Sequence, residues 1–203
     1  MTRSPRREGP RFESDLRRRG TARRTARERV LVVCGAKATE ADYLNGLVRH
    51  LSNPAVTVRV KTKPGSPSQL VAHASDLWNQ DRDGFDQVWC VTDVDEYTDL
   101  DQALAAAHRA GIGLAVSNPC FELWLLLHFR DHTAYCPNYR ALRAALAKHL
   151  PRYDKARLDF RDFASGWQAA VPRARQLAPE DKEHGVNPAT GVWRLVEQIT
   201  RQP

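Results

Sequence analysis

No apolar run in this chain approaches the ~20 residues that a membrane-crossing helix needs. The longest, residues 121–129, carries Glu122 and His128 within it, so contact with a membrane is not expected. The first thirty residues are rich in arginine and lack an apolar stretch, which argues against a secretory signal. Cysteine is sparse and scattered: Cys34, Cys90, Cys120 and Cys136 form no CxxC pair. That spacing suits neither a disulfide framework nor a thiolate metal site, and a reducing cytoplasm is the simplest compartment. No GxxxxGK[ST] loop is present, and residues 35–39 (GAKAT) are too short and glycine-poor to cradle a triphosphate.

What the chain does have is arginine, concentrated at one end. Residues 1–29 hold eleven arginines and no lysine against four acids, a local charge of +7, which equals the formal net charge of the whole chain. The remaining residues therefore balance to zero. Guanidinium groups grip phosphate oxygens in pairs, so this arm reads as a nucleic-acid contact that is salt-dependent and tolerant of sequence. Arg17, Arg18, Arg19, Arg23, Arg24 and Arg27 are its candidate binding residues. The plainer alternative is a solvated tail without a partner. At 203 residues and 42% hydrophobic content, the rest is large enough for one globular domain with a core. The expected organisation is an arm over 1–28 and a single domain over 29–203.

From Arg29 onward, short β-branched runs alternate with helical patterns. Residues 29–34 are continuously apolar after the arginine, as expected of a strand covered on both faces. Thr39 is a candidate N-cap for a helix over 40–51 with Tyr43, Leu44, Leu47 and Leu51 on one stripe. Val56, Val58 and Val60 alternate with polar residues, which predicts a strand with one wetter face. A turn at 64–68 opens a helix to about 79. A third strand spans 86–92, a helix 100–110 and a fourth strand 112–117. Residues 121–129 read as a buried helix, and 138–149, 167–178 and 188–200 as further helices. Such alternation predicts an α/β fold with a mainly parallel sheet, helices on both faces and a helical C-terminal portion.

Sites in open parallel sheets form beyond the carboxyl ends of the strands. The third strand runs into Asp93 and Asp95, whose spacing in extended chain points both carboxylates to one side. Close carboxylates repel, and a divalent ion relieves that repulsion; the alternative is an acid capping the next helix. Glu40 follows the first strand and is either a third ligand or a first-turn carboxylate of its helix. Asp99 and Asp101 suit a helix N-terminus. Glu122 sits inside an apolar helix, where an unpartnered charge is costly, so it needs a cation or donor beside it. His128 is a candidate for proton transfer or a core histidine bonded to backbone. Lys37, in the turn after the first strand, is placed to touch a phosphate. Because these donors are hard oxygens with no Cys/His cluster among them, magnesium is expected, with manganese as an alternative.

The run Val30-Leu-Val-Val-Cys34 with Thr39-Glu40 and Tyr43-Leu44, the segment Val88-Trp-Cys-Val91 with Asp93-Val94-Asp95, and the block SNPCFELWLLLHF over 117–129 together resemble the RloB-like proteins. Asn187-Pro-Ala-Thr190 before Leu195-Val196-Glu197 is similar to that family's closing element, so the resemblance covers nearly the whole chain. It implies a TOPRIM-like core in which a glutamate after the first strand and a DxD after a later one bind magnesium. It also implies nuclease activity on DNA or RNA in bacterial anti-phage defence, with a protein partner from such a system. Many of these proteins place a glutamate directly after the first-strand cysteine, where this chain has Gly35. A second expectation follows from that gap: a binding or complex-forming subunit whose catalytic face has degenerated.

Overall fold

The computed structural model describes residues 27–94 and 97–201. Arg17, Arg18, Arg19, Arg23, Arg24 and Asp95 lie outside the described residues, while Arg27 is exposed just ahead of the first strand. Five strands, β1 (Glu28–Cys34), β2 (Val56–Thr62), β3 (Gln87–Asp93), β4 (Gly113–Asn118) and β5 (Ala189–Thr190), form one sheet in the order β2-β1-β3-β4-β5. The first four are parallel and β5 is antiparallel to β4. The fold is thus α/β with a mostly parallel sheet, as the alternation of apolar runs and helical stripes predicted.

Burial explains the arrangement. β1 is central, and its alternate side chains feed two cores. Val30, Val32 and Cys34 face one and Leu31 and Val33 the other, all fully buried. The first core holds α1 (Thr39–Leu51), α4 (Glu122–Leu127), α5 (Tyr139–Leu146), α6 (Trp167–Arg175) and α7 (Val192–Thr200). The second holds α2 (Pro67–Gln80) and α3 (Leu100–Ala110). β2 is an edge strand, which is why Thr57, Arg59 and Lys61 tolerate its outer face. Gly111, at φ 68°, closes α3 in the left-handed conformation.

Three local differences from the sequence reading have physical causes. Residues 189–190, expected inside a helix, instead extend β4, pairing Ser117 with Thr190 and Asn118 with Ala189. The Ser117 and Thr190 hydroxyls bond across the pair at 2.9 Å, and α7 starts only at Val192. Thr39 lies inside α1 rather than capping it, and its hydroxyl donates to the Lys155 carbonyl at 2.9 Å. Asp99 precedes α3, but its carboxylate accepts from Ser66 Oγ and Ser68 N at the start of α2. It therefore staples α2 to α3 instead of capping its own helix.

Candidate functional site

In this strand order the chain turns one way from β1 to β2 and the other way from β3 to β4. The crevice between the carboxyl ends of β1 and β3 is the switch point of the sheet, where loops diverge and leave room for a ligand. A cavity of about 530 Å³ opens there. Glu40 enters it from the first turn of α1, Asp93 from the last residue of β3, and Glu122 from the first residue of α4. Three acids from three separate elements thus share one cavity.

The walls come from further along the chain. Asn118, Pro119 and Cys120 line it at the end of β4, Pro137, Asn138 and Tyr139 at the start of α5, and Lys155 and Asn187 close it. Asn187 binds these segments together. Its Nδ2 donates to Asn118 Oδ1 at 3.2 Å and to the Cys136 carbonyl at 2.8 Å, while its Oδ1 accepts from Cys136 N at 2.9 Å. Asn118 Nδ2 in turn donates to the His184 carbonyl at 2.9 Å. The polar Asn187 element is therefore a clamp on the rim.

Electrostatics in the cavity are dominated by buried negative charge. Glu40 is 2% exposed, and burial, with the Glu122 charge behind it, pushes its carboxyl up to about 7. The backbone N–H groups of Glu40 and Ala36 and the Lys155 ammonium oppose that rise. One oxygen of Glu40, Oε2, is buried with no hydrogen-bond partner. Glu122, 5% exposed, accepts a hydrogen bond from the Tyr153 hydroxyl at 3.0 Å. The Cys120 thiol is driven up by burial, then by the charges of Glu122 and Asp93. An all-oxygen donor set with a buried, unsatisfied carboxylate oxygen suits a hard cation such as magnesium or manganese. Among the described residues, however, no group of three or more His, Cys, Asp or Glu side chains is close enough to hold an ion.

The remaining candidates lie elsewhere. Lys37 is exposed in the turn between β1 and α1 and does not line the cavity. The cation on the cavity wall is Lys155, whose ammonium lies 4.9 Å from the centre of the Tyr139 ring. Nothing in its local sequence marks it, because what brings it in is the tertiary bond from Thr39. His128 is 5% exposed and outside the cavity. Its Nδ1 faces the Trp124 carbonyl at 2.9 Å and so carries the proton, leaving Nε2 to accept from the Tyr43 hydroxyl at 2.9 Å. Burial holds this imidazole down to about 4. A side chain at Gly35 would meet Thr92 Oγ1 and Leu70 at 3.5 and 3.6 Å, on the α2 side of the sheet, away from the face that Cys34 shares with α1.

No helix among the described residues is long and apolar enough to cross a membrane. All four cysteines are free and buried. Comparison with known proteins finds a family model, described as RloB-like protein, matching residues 30–199. No curated protein and no solved structure matches the chain.

Proposed function

The chain belongs to the RloB-like protein family, and on that premise we propose that it is a magnesium-dependent nuclease with a TOPRIM-like core, acting in the cytoplasm in anti-phage defence. Its substrate is the phosphodiester backbone of DNA or RNA. The observation that carries this reading is the meeting of Glu40, Asp93 and Glu122, from three elements, in one cavity at the switch point of the sheet. Glu40, Asp93 and Asp95 would hold the ion. Bound there, magnesium or manganese supplies Lewis-acid polarisation of the scissile phosphate and a more acidic water.

The chain's own groups do the rest. The Lys155 ammonium, which lines the same cavity as Glu40, pairs with an anionic phosphate oxygen and orients the group. Tyr153 fixes Glu122 through its hydroxyl, so the acid keeps one position beside Glu40. The Asn118–Asn187 clamp holds the β4 and Cys136 segments at the rim. The arginine-rich arm contributes affinity without sequence preference.

A second reading has its own support. No three described acids make a ready ion cluster. That observation suits a nucleic-acid-binding or complex-forming subunit of a defence system. Cleavage of labelled DNA and structured RNA with and without magnesium separates the two. The nuclease reading expects metal-dependent cleavage that Asp93→Asn or Glu40→Gln abolishes. The binding reading expects no cleavage, binding insensitive to these substitutions, and loss of binding when residues 1–28 are removed.

A further inference from the structure

A second cavity, of about 660 Å³, opens at the other end of α1. It is lined by Gly46, Arg49 and His50 on the helix and by residues 157–161 and Ala164 opposite. Its charge is lopsided: Arg49, Arg157 and Arg161 face one acid, Asp159. Asp159 is hydrogen-bonded to Arg161 in a two-pronged pair, with the Arg49 charge also acting on it and Asp162 beside Arg161, so the arginines keep the excess at this cavity. Arg49 and Arg157 form no ion pair among the described residues, and both are exposed. A favourable charge at the C-terminus of α1 would account for Arg49 and His50. It does not account for Arg157 and Arg161, which come from a different segment.

Two segments, α1 and residues 155–161, run past both cavities. α1 carries Glu40 at one end and Arg49 and His50 at the other, with about 13 Å of axial rise between them at ~1.5 Å per residue, and Arg49 stands about half a turn round the helix from Glu40. The opposite wall runs from Lys155 in the first cavity to Arg157 and Arg161 in the second. Their separation is set by close packing: a Cβ at Gly46 would lie 2.2 Å from Phe160 Cβ, so only glycine admits Phe160 this near the helix. His50 lies over Phe160 with ring centroids 5.5 Å apart. The arginines are therefore carried on a braced groove rather than on free loops.

We propose that this groove is a second phosphate subsite for the strand whose reacting phosphate occupies the first cavity, at least about four nucleotides away at ~3.4 Å per stacked residue. The subsite rests on the nucleic-acid reading above, but not on hydrolysis. Arg49 and Arg157 are its free guanidinium groups, with Arg161 beside them. Single-stranded DNA and RNA share the phosphate chemistry, and the test carries an arm for each.

The full-length protein is titrated with calcium in place of magnesium, to keep a divalent ion in the first cavity, using fluorescent 3- and 12-nucleotide single strands of DNA and of RNA. In the triple variant Arg49→Gln, Arg157→Gln, Arg161→Gln, 12-nucleotide binding falls roughly 10- to 100-fold near 0.1 M salt for at least one nucleic acid, and the salt slope shrinks by about 1.4, roughly 0.7 for each of the two free guanidinium groups. Trinucleotide binding is unchanged. The corresponding Arg→Lys triple variant retains the slope, which separates charge from folding. Without any substitution, the 12-nucleotide strand but not the trinucleotide shields Arg157 from phenylglyoxal. An unchanged slope and affinity, or undiminished modification of Arg157, overturns the subsite. A protein that passes these tests yet cleaves nothing with magnesium keeps the subsite and loses the nuclease reading; one that cleaves through Asp93 with an unaltered salt slope does the reverse.

Discussion

Acid should destabilise this protein through one identifiable imidazole. His128 is enclosed by Tyr43, Trp124 and Phe163, with ring centroids 5.2–5.4 Å away, and both of its nitrogens are used by neutral partners. A proton added at Nε2 would face the Tyr43 O–H donor to donor and force the hydroxyl hydrogen to swing away. The folded protein therefore keeps the ring neutral down to about pH 4, whereas the unfolded chain protonates near 6.5. Between those values the unfolded state binds more protons, so stability is full above pH 6.5 and is lost as pH falls toward 4. A difference of about 2.5 units at 1.36 kcal/mol each is worth about 3.4 kcal/mol in full, of which about 2.5 kcal/mol is lost by pH 4.5. Carboxylates titrate in the same range, so the measurement is a difference. Urea unfolding of the wild type and of His128→Gln is compared near pH 7 and pH 4.5. The wild type should lose about 2.5 kcal/mol more than the variant over that interval. Equal losses in the two proteins would refute the claim that His128 is buried neutral.

Two further perturbations probe the frame of the site. Gly46→Ala gains helix propensity of about 1 kcal/mol but drives a methyl into Phe160. We expect a net destabilisation of about 1–3 kcal/mol, seen as a lower urea midpoint, where a rise in midpoint would contradict the packing described. Asn187→Ala strands both backbone groups of Cys136 and should cost about 2–3 kcal/mol. Faster hydrogen exchange at Cys136 N is its local signature, and unaltered exchange there would count against the clamp.

Much of the frame was legible because it is local. β1 declares itself as an uninterrupted apolar run, and the stripe Tyr43, Leu44, Leu47 is fully buried where periodicity put it. The positions of Glu40 and Asp93 beyond strand ends follow from the same alternation. What could not be read was decided across the chain. A two-residue strand has no periodicity, so Ala189–Thr190 is defined only by its partner β4. Lys155 reaches the cavity through a bond spanning 116 residues, and Glu122 finds Tyr153 31 residues on. Polar connecting segments carry no hydrophobic signature, yet here they build the walls of both cavities. Asp99 shows the same limit on a smaller scale: its position marked a helix start, but the helix it secures is α2.

Metal-dependent chemistry at this cavity requires that carboxylates from separate elements hold a cation together. Isothermal titration of magnesium into the wild type, Asp93→Asn and Glu40→Gln tests this directly. Saturable binding in the wild type that is lost in both variants is the predicted result. Binding of equal strength in all three proteins, or none in a folded wild type, would contradict it.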